Sequence, residues 1–262
     1  MNAFTHFVVA IHAERLGWNV VRLDGRTIPD WFEPKDDQIA FFYTPPHAFE
    51  IAAQVSWTLL GCDADWILGL PPEFVRRQIR QMSLKAALEL PGRAFVKHAV
   101  AKAFPAAVYD ARSLAEVAVK VMPGALVQVA EIVEWSVEYR CFVRDQNVVT
   151  LSPYRRHGKV IEGHVGLLDA PHSEIATAKQ FADSVLRNLL VASPPAFVLD
   201  VGSIQDRGWA VVECNECWAS GIYACDPDQV LATLLRACVP TDRMTDEERR
   251  WDFQRTYHHA CP

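Results

Sequence analysis

The sequence contains no long hydrophobic run. Its early apolar stretch, residues 7–11, is far shorter than the roughly 20 residues that span a bilayer. No basic segment or small-residue cleavage site accompanies it, so neither a membrane span nor secretion is expected. Basic charge is not in excess either. Lys and Arg number 26 against 32 Asp and Glu, a formal net charge of −6, which provides no broad positive field for a polyanion. Generic nucleic-acid binding is therefore not expected. Seven irregularly spaced cysteines, an odd count in 262 residues, do not resemble a disulfide framework. They read as reduced thiols, and a cytoplasmic location is the corresponding expectation. Cys214 and Cys217 form a C-x-x-C with no second such pair, so core packing is favoured over zinc or redox chemistry. A G-x-S-x-G elbow is absent as well.

Half the residues are hydrophobic and 22% are charged, the balance of a packed globular protein. Without repeats or low-complexity linkers, organisation is read from pattern changes at proline and glycine. Residues 1–72 alternate helical stretches with short apolar runs at 19–23, 39–43 and 66–68, a small α/β domain in character. The prolines at 71 and 72 then open a predicted amphipathic helix over 73–90, linking to a unit that extends to 135. Strands are expected at 94–97, near 108 and at 126–133, with a helix opened by Ser113 and a capping-box partner in Glu116. From 136 to 240 the pattern is mostly β: a hairpin of 137–143 and 148–152, a helix over 172–191, strands at 196–201 and 209–214, and a closing helix over 227–238. Residues 241–262 read as a polar C-terminal tail in which His258 and His259 face solvent.

The last two predicted strands carry the most informative residues: Asp200 in FVLDVG, then Glu213 and Asn215 in VVECNECWASG. Alternation puts Glu213 and Asn215 on one face, and a turn over 205–208 can bring Asp200 beside them. Two carboxylates and an amide suit magnesium, which takes few protein ligands and completes its shell with water and phosphate oxygens. A solvent-facing polar hairpin has the same pattern. Lys97, ending RAFVK, and Lys102 nearby have the charge to hold nucleotide phosphates, although a surface lysine also ends strands. Glu131 opens a connector, with Ile132, Val133 and Glu134, whose backbone can hydrogen-bond an adenine edge. Glu138 can accept from ribose hydroxyls, and Arg140 on the same face can meet a terminal phosphate; a cross-strand ion pair between Glu138 and Arg140 or their neighbours is the structural alternative. Arg155, within SPYRRHGK, adds charge at one rim, or else belongs to a solvated loop.

The order of these pieces resembles the ATP-grasp superfamily over roughly residues 73–238. The phrases FVKHAVAKAFPAAVY, VEYRCFV, AFVLDVG and VVECNECWASGIYACD are similar to a divergent clade that includes the eukaryotic initiation-factor assembly chaperone of the cell-division-cycle type. The resemblance implies an α+β fold of two subdomains gripping a nucleotide, residues 73–135 and 136–240, preceded by the small α/β domain. It implies ATP and Mg2+ as cofactors, with Lys97 on the phosphates, 131–134 at adenine and Glu138 at ribose. Asp200, Glu213 and Asn215 are the implied metal ligands. It further implies a cytoplasmic, ADP-forming carboxylate–amine ligase that works through an acyl-phosphate, with Lys97 and Arg140 as catalytic residues. The substrates would be a carboxylate and an amine borne by small molecules, peptides or proteins. An ATP-binding assembly factor without ligase turnover is the alternative. His98 follows the lysine where family members often have proline, and an alanine-rich segment stands where many carry a glycine-rich flap.

Overall fold

The structure, a computed structural model, describes residues 3–23, 25–33, 38–43, 47–161, 170–188 and 192–260. The N-terminal segment contributes α1 (Ala3–Arg15), α2 (His47–Gln54) and the short strand β1 (Trp57–Leu59). The apolar runs at 19–23 and 39–43 form no strand. Their Val20, Ile39 and Phe41 nevertheless pack on a core shared with α7 (Pro227–Arg236). Residues 66–68 also depart from expectation, lying within one 3-10 turn, Trp66–Gly69, where the Trp66 indole donates to the Ala192 carbonyl at 2.8 Å.

The expected helix over 73–90 is broken into three pieces: α3 (Pro72–Val75), β2 (Ile79–Ser83) and α4 (Leu84–Ala87). Arg76 takes a left-handed conformation, φ 49°, which ends α3 after one turn. The chain then pairs antiparallel with β5 (Leu126–Ala130), from Ile79 opposite Ala130 to Ser83 opposite Leu126. Ladder hydrogen bonds to a partner strand here override a helical spacing of apolar residues. The Ser83 hydroxyl accepts from the Ala86 N–H at 3.2 Å and starts α4. Between these elements lie β3 (Ala94–His98), β4 (Ala107–Tyr109) and α5 (Ala111–Val117), and the small sheet runs in the order β2-β5-β3-β4. Helix α5 is capped by Asp110, not Ser113. Asp110 is still extended, its carboxylate accepts the Ser113 N–H at 2.8 Å, and the Ser113 hydroxyl accepts the Asp110 N–H at 3.1 Å. Ser113 is therefore the reciprocal residue of the box, one turn inside the helix.

The large sheet is antiparallel: β6 (Trp135–Arg144), β7 (Asn147–Arg156), β8 (Lys159–Val160), β9 (Ala196–Ile204) and β10 (Gly208–Asn215), in the order β10-β9-β6-β7-β8. Asp145 and Gln146 both have positive φ, 46° and 64°, as a two-residue hairpin turn requires. One face, with Val137, Tyr139, Cys141, Leu199 and Val201, is covered by α6 (His172–Leu186). The expected extension of this helix through 189–191 lies outside the described residues. The other face buries Phe142 and Val198 against α7. Beyond those two residues the same face continues as Arg140 and Glu138 on β6 and Asp200 on β9, which is where the site begins.

After α7 come β11 (Cys238–Pro240), paired with β1, then α8 (Asp246–Arg250) and α9 (Phe253–Ala260). Residues beyond 240, which read as a polar tail, include buried Trp251 and Phe253. The Phe253 ring lies 5.0 Å from Trp218. His258 is exposed. None of the helices among the described residues is long and apolar enough to cross a membrane.

Cys62 and Cys214 form a disulfide with Cα atoms 6.4 Å apart, which corrects the expectation of seven reduced thiols and of Cys214 as simple core. The segment after β1 is anchored by Leu60 N–H to Ala237 O at 2.8 Å and Gly61 N–H to Trp251 O at 2.9 Å, and this carries Cys62 alongside β10. Cys141, Cys217, Cys225 and Cys238 are buried free thiols.

Candidate nucleotide and metal site

Strand pairing assembles the centre of the site. Arg140 on β6 and Glu213 on β10 both stand opposite Asp200 on β9. A register shift between Val211 and Glu213 turns the end of β10 so that Glu213 and Asn215 face Asp200. The Asn215 amide bridges the carboxylates, donating to Asp200 Oδ2 at 3.2 Å and Glu213 Oε1 at 3.0 Å. Lys97 Nζ, from the end of β3 in the other sheet, lies 2.6 Å from Glu213 Oε2. Arg140 grips Asp200 in a bidentate pair, Nε to Oδ1 at 3.0 Å and Nη2 to Oδ2 at 2.6 Å. The result is one string of charge, Lys97–Glu213–Asn215–Asp200–Arg140, spanning both sheets.

Burial alone would raise the Glu213 pKa. The Lys97 charge and hydrogen bonds from Asn215 and Lys97 outweigh it, holding the carboxyl at about 2. Burial pushes Asp200 up against the pull of Arg140. It would likewise pull Arg140 down, but the charge and hydrogen bonds of Asp200 raise it instead. Two tyrosine rings, Tyr154 and Tyr223, each lie 5.2 Å from the Arg140 guanidinium and cover it.

A cleft of about 870 Å³ opens between the sheets beside this string. Ile79, Phe95, Val108 and Ala130 of the small sheet, Val212 of β10 and Ile222 before α7 give it apolar walls. That size and mixture suit a ligand with a flat apolar part and a charged end. Lys97, Lys102, Glu131, Ile132, Val133, Glu138, Arg140, Arg155 and Glu213 all line it. Exposed Glu134 does not, and its carbonyl instead accepts the Gln205 N–H at 2.9 Å. Glu131 is committed elsewhere: its carboxylate accepts from Arg207 at 2.6 Å and from the Gln78 N–H at 3.2 Å. The Arg207 hydrogen bond, then that of Gln78, brings its pKa to about 2.

Glu138 is buried and its pKa is raised by that burial, with the Tyr154 hydroxyl donating to it at 2.7 Å and the Arg155 guanidinium forming an ion pair with it at 3.6 Å. The alternative reading, a cross-strand ion pair of Glu138 and Arg140 or their neighbours, is met, each pairing with a neighbour across the sheet: Arg140 with Asp200 on β9 and Glu138 with Arg155 on β7. Among the described residues Arg155 Nε is buried without a hydrogen-bond partner.

Asp200, Glu213 and Asn215 fit a hard divalent cation by donor chemistry, being two adjacent carboxylates and an amide. Among the described residues no group of three or more His, Cys, Asp or Glu is arranged to hold a metal. A cation held there would take few protein ligands and leave its remaining positions to water and phosphate oxygens.

Sequence reasoning missed several lining residues. Arg77 donates to the Val211 and Val212 carbonyls at 2.6 and 2.8 Å, fixing the bulge of β10, and burial lowers its pKa to about 10 against three nearby glutamates. Trp135 stacks under it at 5.0 Å. Tyr154 was within reach of alternation along β7, whereas Tyr223 lies on irregular chain with φ 49° and left no periodic signal.

A second cleft of about 490 Å³ lies on the far side of the Lys97–Glu213 pair. The two clefts share Lys97, Lys102, Ala106, Gln128 and Glu213.

A family model described as an ATP-grasp domain, the second family of its clade, matches residues 74–233. Comparison with curated proteins gave no match. Among solved structures the chain is similar to a RimK domain ATP-grasp protein from Sphaerobacter thermophilus, at 16% identity and TM-score 0.37, covering 65% of this chain and 61% of that one. It thus spans less than two thirds of that relative. D-alanine–D-alanine ligase from Bacillus anthracis, complexed with ATP, is similar at 13% identity and TM-score 0.42, covering 79% and 72%. C-terminally truncated Cdc123 from Schizosaccharomyces pombe is similar at 11% identity and TM-score 0.36, covering 60% and 87%.

Proposed function

The chain belongs to the ATP-grasp superfamily, and from that premise we propose an ATP- and magnesium-dependent ligase that joins a carboxylate to an amine. The observation that carries the reading is the string Lys97–Glu213–Asn215–Asp200–Arg140 at the border between the two clefts. Residues 73–135 and 136–240 act as the small and large halves of the grip. Adenine stacks between the apolar walls against the 131–134 connector, and Glu138 accepts from the ribose. Lys97, Lys102 and Arg155 face the phosphates. Asp200, Glu213 and Asn215 would hold magnesium, which would supply neutralising charge for the phosphates.

Lys97 is released from Glu213 as the phosphates enter, because its ammonium then has a stronger anionic partner. Lys97 and Arg140 stabilise the charge on the transferred γ-phosphoryl group. An oxygen of the substrate carboxylate bonds to the γ-phosphorus as the bond to the β–γ bridging oxygen breaks, giving acyl-phosphate and ADP. The amine nitrogen then bonds to the acyl carbon, phosphate leaves with the bonding electrons, and the amine gives up one proton. Positioning and electrostatics supply the catalysis, and no enzyme nucleophile is required. Incubating the protein with ATP, Mg2+ and a pool of amino acids and peptides should yield ADP, phosphate and a product whose mass is the sum of two substrates less one water. Formation of AMP and pyrophosphate would contradict the reading.

One observation favours a second reading. Both oxygens of Asp200 are already held by Arg140, so the metal site is balanced internally. That suits an assembly factor that binds ATP without turning it over. Nucleotide binding with no ADP formed in the presence of any acceptor would select that function.

A further inference from the structure

We propose that the 490 Å³ cleft beyond Lys97 is the acceptor site, and that it takes an amine-bearing, cationic substrate held by Asp63 and Glu216. This inference rests on the nucleotide reading of the larger cleft and assigns a substrate class to its neighbour. Geometry supplies the first support. The two clefts meet at Lys97 and Glu213, so a molecule in the smaller one has its end at the proposed transfer point. Reaction at that point requires only that the acceptor approach Lys97 from the opposite side to the nucleotide.

The second support is the distribution of charge around the cleft. Glu213 is paired with Lys97. His98 spends Nδ1 accepting from the Val100 and Ala101 N–H groups at 3.3 and 3.0 Å, and its burial lowers its pKa, so the ring is neutral. Lys102 forms no ion pair among the described residues, but it stands on the border shared with the nucleotide cleft. The remaining charged walls are acidic. Asp63 accepts one hydrogen bond from the neutral Thr256 hydroxyl at 2.7 Å and forms no ion pair among the described residues. Half-buried Glu216 lines the cleft, and apart from its own backbone N–H its carboxylate has no hydrogen bond or ion pair among the described residues. Two partly desolvated carboxyl groups without an ion-pair partner favour an ammonium or guanidinium over an anionic ligand.

The third support is shape. A Cβ on Gly61 would lie 2.9 Å from Glu216 Cγ, so the glycine lets the Glu216 stem lie across this segment. The adjoining Cys62–Cys214 bridge ties Asp63 to the strand that bears Glu213. Trp66 and Phe104, with the alanine-rich loop after β3, line the remainder with apolar surface fit for an aliphatic stem.

The test compares two probes of equal chain length and opposite charge, 1,5-diaminopentane and glutarate, titrated into the full chain by calorimetry with and without Mg2+ and AMPPNP. The diamine should bind and glutarate should not. Asp63→Asn and Glu216→Gln should each weaken diamine binding by about tenfold, the scale of one charge-assisted contact. Thermal unfolding checks that each variant is folded, and if one is not, the other carries the test. Preference for glutarate, binding of neither probe, or undiminished diamine binding in the folded variants would overturn the proposal. The AMPPNP titration of the unmodified chain without diamine tests the nucleotide reading separately, so the two failures are distinguishable.

Discussion

Asp200 and Arg140 are buried together as a bidentate pair. Removing one leaves an uncompensated charge, so Asp200→Ala should cost about 3–5 kcal/mol of stability. The double variant Arg140→Met, Asp200→Leu should be distinctly more stable than Asp200→Ala, because apolar groups of similar volume carry no such penalty. Urea unfolding of the three proteins checks this, and equal midpoints for single and double variants would refute it.

Glu131 offers a pH-dependent contact outside the metal site. Its pKa falls from 4.5 to about 2, first through the Arg207 hydrogen bond and then that of Gln78. A lowered carboxylate pKa contributes fully above the unfolded value and is lost as pH falls through the folded value. The Glu131–Arg207 clamp should therefore be complete above pH 4.5 and disappear toward pH 2. NMR titration of the Glu131 carboxyl carbon should follow that course, and Arg207→Ala should return the midpoint toward 4.5.

At the scale of elements, legibility tracked how local the determining physics was. The hairpin of β6 and β7 was readable because alternating apolar residues and the 145–147 turn lie in one continuous stretch. The same period showed that Glu213 and Asn215 share a face and can meet Asp200 across a single turn. Strand β2 was not readable. Its five residues are defined by β5, more than 40 positions away, while the helical spacing of Phe74, Ile79, Met82 and Leu88 pointed elsewhere. The smaller cleft was hidden for the same reason: Asp63 and Glu216 come to one cleft beside a disulfide whose cysteines lie 152 positions apart.

Gly202 shows how tightly β9 and β6 approach. A Cβ there would lie 2.7 Å from both the Trp135 ring and the Val137 carbonyl oxygen. Gly202→Ala should thus destabilise by about 1–3 kcal/mol, as overpacking does. Adding Trp135→Ala should recover only part, since the carbonyl remains. Complete recovery in chemical denaturation would show that the backbone is not a constraint.

For the whole molecule, both ends of the chain contribute to the core beneath the larger sheet. Val9, Phe49 and Trp57 from the N-terminal segment, and Phe253 from α9, share one apolar cluster with Phe142 and Val198 of β6 and β9. Phe253→Ala should therefore lower global stability by about 3–5 kcal/mol. A change below about 1 kcal/mol would mark the C-terminal helix as dispensable.

The two sheets, by contrast, have separate cores, and Lys97 with Glu213 crosses between them. The central claim is that this crossing is where nucleotide and metal meet. Calorimetric titration of AMPPNP with Mg2+ into the unmodified chain and a Glu213→Gln, Asn215→Ala variant tests it most directly. The account predicts saturable, magnesium-dependent binding that weakens at least about tenfold in the folded variant. Equal affinity in the two proteins, or binding indifferent to magnesium, would contradict it.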